Sequence, residues 1–294
     1  MTIRLCMPTL GKSAPLLLLS ILGAHLACAQ TPAPTAAPVP SPASSPIAPV
    51  AAAPPEAAMS ATSPSPSPEV KKIAFGSCRV NGPYIAMTFD DGPNAKLTPL
   101  LLDAMESRGI HATFFVVGSN AVLYPDLLKR MARDGDEVGN HSWSHPQLSK
   151  LDVAKADKEI LDTSDVIAKA TGKPPLYLRP PYGAMSALLR KRIEDKFGMT
   201  LIYWSVDPLD WKYRDAQHVY DEILKQVKPG AIILSHDIHA TTVAAMPHVF
   251  DALLAQGYKF VTVSQLIALN QPRTTKAAAA PSPTAGPSAE SSHS

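Results

Sequence analysis

Five short polar clusters in the chain carry residue types that can do hydrolytic chemistry together. The first is Thr88-Phe89-Asp90-Asp91-Gly92-Pro93. Adjacent side chains leave the backbone in different directions, so one of its two carboxylates can hold a cation while the other stays unligated as a base. The second is Asn140-His141-Ser142-Trp143-Ser144-His145. Histidines four apart lie on one face of a helical turn, close enough to share a cation. The others are Arg179-Pro180-Pro181-Tyr182-Gly183, Asp207-Pro208-Leu209-Asp210-Trp211 and Leu234-Ser235-His236-Asp237. Taken singly, each also reads as an ordinary loop, since Asp, Gly and Pro favour tight bends. Five such clusters in succession do not share that reading. Two histidines and a carboxylate leave a coordination position open for water, as a catalytic rather than a structural zinc requires. A second carboxylate can serve as base and a third histidine as acid, the pairing needed to hydrolyse an amide or ester. No Gly-rich phosphate loop, dinucleotide fingerprint or serine elbow is present.

These clusters need a frame that brings them together. Short β-branched or aromatic runs occur at 84–89, 112–117, 137–140, 176–179, 200–205, 231–235 and 260–263, with helical runs between them. Thr98 before Pro99 is expected to cap a helix. Ser149 with Asp152 resembles a capping box ahead of a helix running to about Ala170. In that helix Val153, Ala156, Ile160 and Ile167 recur on one face, and Gly172 ends it. Strands alternating with helices imply a parallel sheet. Seven strands favour a closed α/β barrel, whose functional groups belong at the C-terminal strand ends. Each cluster follows one of the runs.

The chain has 294 residues, of which 46% are hydrophobic and 18% charged, so one core of ordinary size is expected. A net charge of +2 argues against a nucleic-acid partner. Of the 30 prolines, 12 lie in residues 31–68 and 4 in residues 272–294, both otherwise rich in Ala, Ser and Thr. Segments of that composition cannot offset the entropy of ordering. Arg4 and Lys12 precede an apolar run, Ala14 to Ala27, and Ala27-Cys28-Ala29 reads as a cleavage site. The expected organisation is a signal peptide at 1–29, a disordered linker at 30–69, one catalytic domain at 70–271 and a disordered tail at 272–294. An uncleaved anchor and a lipoprotein are the alternatives for the leader, which is short for a membrane span. Cleavage predicts a secreted, periplasmic or envelope-associated chain with no membrane span. It leaves Cys78 alone, so no internal disulfide can form.

Together the five motifs resemble the polysaccharide deacetylases of carbohydrate esterase family four, the NodB-homology domain. The resemblance covers about residues 80–270, and the motifs occur in family order with no departure at a position the chemistry requires. It implies a distorted (β/α) barrel of about seven repeats. It makes Asp90 the general base and Asp91, His141 and His145 the metal ligands. Arg179 would orient Asp90, and the Tyr182 backbone N–H would help hold the oxyanion. His236 would be the general acid, kept protonated by Asp210. Leu234 and Trp211, with Pro180, would contact substrate around the acetyl methyl. Asp207 would join this network or shape its loop. The implied cofactor is a divalent metal, zinc first, with cobalt, nickel or manganese suited to the same ligands. The implied partner is an acetylated polysaccharide: peptidoglycan first, then chitin or chitooligosaccharide, then acetylated xylan. A non-catalytic glycan-binding module is the reading from another class. Its signature, a missing base, acid or ligand, is absent.

Overall fold

β-Branched and aromatic runs form the strands of a single parallel sheet in a computed structural model of the protein, which describes residues 74–271. The leader, linker and tail expected at 1–29, 30–69 and 272–294 lie outside the described residues. In chain order the elements are β1 (Ala74–Phe75), β2 (Tyr84–Asp90), α1 (Leu97–Glu106), β3 (Thr113–Val116), α2 (Gly118–Ala121), α3 (Pro125–Asp134), β4 (Glu137–Asn140), α4 (Val153–Thr171), β5 (Tyr177–Leu178), α5 (Ala187–Phe197), β6 (Thr200–Ile202), α6 (Asp210–Tyr213), α7 (Ala216–Gln226), β7 (Ile232–His236), α8 (Ala240–Ala255), β8 (Lys259–Phe260) and α9 (Val263–Ala268). The strand order is β1-β6-β5-β4-β3-β2-β7, with β8 pairing β2. Beyond β6, Val206 bridges in parallel to Ile233, and its carbonyl accepts the Leu234 N–H at 2.9 Å. The two ends of the sheet therefore meet, and the fold is the expected distorted α/β barrel.

Alternation along β2 shows how the strands divide their labour. Ile85, Met87 and Phe89 face the helices and join the large cluster with Leu101, Met105, Val249 and Phe250. Ala86 faces the barrel interior with Phe115, Tyr177, Ile202 and Ile232. Thr88 and Asp90, on the same interior face, carry the polar groups of the site, as the two-residue strand period requires. The lower end of the barrel is closed by α9, whose Val263 and Leu266 enter the interior cluster.

Four local expectations are corrected. The 260–263 run is not one strand: β8 stops at Phe260, and Thr262 caps α9 in a reciprocal box with Gln265. Thr98 does not cap α1, because the helix begins one residue earlier at Leu97; its hydroxyl donates inward to Asp237, and Asn94 Oδ1 accepts the N–H groups of Lys96 and Leu97 at 3.0 Å. Asp152, not Ser149, caps α4 by accepting the Lys155 N–H at 2.9 Å. Ala156, Ile160 and Ile167 are buried as expected, but Val153, in the first turn of α4, is exposed. Among the described residues no helix is long and apolar enough to cross a membrane.

The Thr262 box makes one prediction. Thr262→Ala should cost about 1 kcal/mol, and thermal unfolding should show Tm lower by about 3 °C for a domain of this size. An unchanged Tm would mean that core contacts alone hold α9 in place.

Candidate active site

The chemistry-bearing residues lie where the barrel rule puts them. Asp90 and His236 are the last residues of β2 and β7, which are neighbouring strands paired in register at these two positions. His141 and Arg179 each follow a strand end directly, after Asn140 of β4 and Leu178 of β5. One cavity of about 400 Å³ is lined by Asp90, Asp91, His141, His145, Pro180, Tyr182, Trp204, Asp207, Trp211, Leu234 and His236. Arg179 and Asp210 stand behind it, both completely buried. All eleven residues singled out from the sequence for catalysis, substrate contact or metal binding thus gather at one place.

Asp91, His141 and His145 are the one set of ligand side chains among the described residues grouped closely enough to hold a metal ion. The Nε2 atoms of both histidines lie 3.4 Å from Asp91 Oδ1, longer than a good hydrogen bond. That buried oxygen has no hydrogen-bond donor. Ligand atoms around a tetrahedral zinc with bonds of about 2.0–2.2 Å sit at nearly this separation. The donor chemistry agrees. His141 Nδ1 lies 2.7 Å from the Arg179 carbonyl, so it must carry the proton and leave the Nε2 lone pair facing Asp91. Burial and the neighbouring His141 push the His145 imidazole below its ordinary pKa, keeping it neutral at pH 7. Burial alone would push the Asp91 carboxyl up, but His141, with His236 and His145, holds it down at about 2. These residues therefore fit a divalent cation. The histidines do not converge through helical spacing, however. Residues 141–145 form an irregular turn in which Ser142 and His145 adopt left-handed backbone (φ 65° and 57°), and the two rings stand 4.8 Å apart.

Asp90 is held by Arg179, whose Nη1 donates to Asp90 Oδ1 and to Thr88 Oγ1, both at 2.7 Å. Nη2 donates to the Tyr203 carbonyl at 3.2 Å, and the guanidinium lies 4.2 Å above the Phe115 ring. Arg179 thus fills the barrel interior between its apolar floor and the site. A buried cation and a buried carboxylate tolerate that environment because each meets the other and further polar partners.

His236 is paired with Asp210 through a 2.8 Å bond from Nδ1 to Oδ1. The same Oδ1 accepts the Trp211 N–H at 2.9 Å, while Oδ2 accepts the His236 N–H and the Thr242 hydroxyl, each at 2.8 Å. Burial pushes the His236 pKa down, but the hydrogen-bonded Asp210 carboxylate outweighs it and raises the imidazolium to about 9. Burial likewise opposes ionisation of Asp210, and its bonds from His236 and Thr242 overcome this and hold its pKa below the ordinary value.

Tyr182 is 69% exposed, has left-handed backbone (φ 59°) and stands edge-on to His145 at 4.7 Å. Leu234 is buried at the cavity wall and Trp211 is half-exposed at its mouth. Asp207 lines the cavity too, and its Oδ1 accepts the Leu209 N–H at 2.8 Å, shaping the loop that delivers Asp210. Trp204, two residues beyond the end of β6, also lines the cavity. Thr88 and Asp237 stand inside the sequence motifs without an assigned role, and Thr242 lies outside them. A threonine on a buried strand was a faint signal for Thr88; nothing in the chain near Thr242 pointed to Asp210. Asp237 accepts the Thr98 hydroxyl and packs where a Cβ on Gly92 would sit, so burial raises its carboxyl to about 7. His239 stands 5.7 Å from His236, whereas His111, His218 and His248 line no part of the cavity. Cys78 is buried against Gly230, outside the cavity lining.

Comparison with known proteins agrees with this geometry. The polysaccharide deacetylase family profile matches residues 78–202. The chain is 45% identical over 196 residues to the peptidoglycan-N-acetylmuramic acid deacetylase PdaC of Bacillus subtilis, covering 67% of this chain and 41% of that protein. It is therefore matched over about two-fifths of that relative's length. It is 33% identical over 213 residues to a peptidoglycan-N-acetylglucosamine deacetylase of Bacillus cereus, covering 69% of this chain and 76% of the relative. The solved structure of Bacillus subtilis PdaC superposes with a TM-score of 0.62 at 46% identity, over 64% of this chain and 92% of that one. A barrel with these strand-end residues, matched by relatives over most of its described length, makes the chain a member of the polysaccharide deacetylases, carbohydrate esterase family four.

Proposed function

We propose that the protein is a metal-dependent hydrolase that removes N-acetyl groups from N-acetylglucosamine units of a polysaccharide, with peptidoglycan as the polymer. One observation carries this reading: a carboxylate bonded to a buried arginine and a histidine bonded to a buried aspartate open into one cavity beside a three-ligand set. A divalent cation, zinc first, held by Asp91, His141 and His145 would supply a Lewis acid and lower the pKa of bound water to about 7. Asp90, oriented by Arg179, accepts the proton of the attacking water. The Tyr182 N–H donates to the oxygen that gains charge as the carbonyl becomes tetrahedral. His236, held as imidazolium by Asp210, donates its Nε2 proton to the amine as the C–N bond breaks, and acetate and a free amine leave. Leu234, Trp211 and Pro180 give the acetyl methyl an apolar wall.

Peptidoglycan is favoured over chitin and acetylated xylan because both curated relatives described above are named for it. N-acetylglucosamine is favoured over N-acetylmuramic acid because the relative named for it is matched over the larger share of its length. The leader-like segment at 1–29 supports a secreted or envelope location, where that polymer lies.

The test is acetate release by the full chain, stripped of metal and then restored with zinc. Peptidoglycan, chitooligosaccharide and acetylated xylan are offered side by side, with Asp90→Asn as control. Zinc-dependent release from peptidoglycan, lost in the control, is expected. Release from another polymer alone would reassign the substrate. Glycan binding without release from any of them would make the protein a binding module.

A further inference from the structure

The turn that carries both ligand histidines has no regular secondary structure, and two of its non-glycine residues sit in left-handed backbone. Such conformations persist only where the surroundings over-determine them. Hydrogen bonds from three sides hold the turn. On the carbonyl side, Gly118 N–H donates to Ser142 O at 2.9 Å and Ser119 N–H to Trp143 O at 3.0 Å, both from the first turn of α2. On the N–H side, Ser142 donates to Asn140 Oδ1 at 2.8 Å and His145 to Ser142 Oγ at 3.1 Å, bonds made within the segment itself. The His141 N–H donates to the Val116 carbonyl at 3.0 Å, and the N–H groups of Trp143 and Ser144 both go to Oε2 of Glu159 at 2.8 Å, with the Ser144 hydroxyl donating to Oε1 at 2.8 Å. Glu159 lies on α4, one residue before the fully buried Ile160. One turn further along α4, Thr163 and the Trp143 ring press on Gly118 so closely that a Cβ there would meet them at 2.5 and 2.6 Å. Helix, turn and α2 are therefore locked to one another.

We propose that Glu159 is a positioning residue for the metal ligands: by taking up the Trp143 and Ser144 N–H groups it holds the 141–145 turn in the one conformation that aims His141 and His145 at Asp91. It acts through backbone geometry, not through charge. The inference rests on the ligand assignment proposed above. Removing a residue that orients metal ligands typically weakens the metal by about 10–100-fold.

The test is the affinity of the metal-stripped full chain for Zn²⁺ alone, measured at 25 °C by competition with a chromogenic chelator. Glu159→Ala should bind about 10–100-fold more weakly than wild type. Glu159→Gln should stay within about threefold of wild type, because an amide oxygen accepts the same two N–H groups. If the alanine variant does not fold, Glu159→Asp serves instead: it keeps the charge but stops a methylene short of the turn, and it must weaken zinc comparably. An alanine variant with lowered Tm but unchanged zinc affinity would show a purely structural role and overturn the proposal. So would a glutamine variant as weak as alanine, which would make charge the agent. Wild-type protein that binds no zinc, or His141→Ala that binds it undiminished, would instead defeat the ligand assignment.

Discussion

His236→Ala is expected to lower kcat by about 10²–10⁴-fold, the usual worth of a positioned general acid. The pH dependence is the sharper result. On the proposed mechanism activity needs the imidazolium, and Asp210 outweighs burial to raise its pKa from 6.5 to about 9. Wild-type activity should therefore hold through neutrality and fall as the pH rises through about 9. Asp210→Asn removes the hydrogen-bonded counter-charge, so burial pushes the histidine down against only the weaker pull of Asp90 and Asp91. Its alkaline limb should move to lower pH, with a loss at pH 7.5 and partial recovery on acidification. The sign for stability is the same. A rise from 6.5 to about 9 corresponds to about 3 kcal/mol of preference for the charged form. That contribution is fully present below pH 6.5 and is lost as the pH climbs to about 9. An Asp210→Asn profile superimposable on wild type would show that His236 does not deliver the proton.

The second large effect belongs to Arg179. Arg179→Met fits the apolar stem of the original side chain but strands the Asp90 carboxylate, 2% exposed, without its cation. Breaking a buried pair from one side costs about 3–5 kcal/mol. The same variant should lose nearly all activity, because Asp90 loses the guanidinium that fixes its carboxylate toward the reacting water. The double variant Arg179→Met/Asp90→Asn should regain much of the stability and none of the activity, a non-additivity readable by chemical denaturation. A double variant no more stable than Arg179→Met would place the loss in packing against Phe115 rather than in the ion pair. Arg179→Lys keeps the charge but cannot reach Asp90, Thr88 and Tyr203 together, so it should fall between the two.

Most of the site was legible in the chain because its residues sit in short motifs at strand ends. Asp90 and Asp91 are adjacent, and a strand running into a turn is enough to separate their roles. Repeated apolar runs with helices between them required a parallel sheet, and a parallel barrel offers one face for loops. Short-range details were less legible. Thr98 has the sequence signature of a helix cap, yet α1 already begins at Leu97 and the Thr98 hydroxyl donates to Asp237, 139 residues away. The 260–263 run is apolar enough for a strand, but the Thr262–Gln265 box stops it and starts a helix. In both cases a tertiary partner or a competing cap overrode a local preference.

What the sequence determined by itself is therefore the set of reactive groups, their order and the architecture that gathers them, since side-chain chemistry and hydrophobic periodicity are properties of the chain. What only the tertiary structure decided is how those groups are held. The bond that orients His236 spans 26 residues, the one that orients Asp90 spans 89, and Glu159 reaches the histidine turn from a helix outside the motif. The histidines converge not because they are four apart but because α2 and α4 clamp an irregular turn between them. Directional bonds between elements distant in sequence depend on where packing puts those elements, and no spacing along a single chain records that distance.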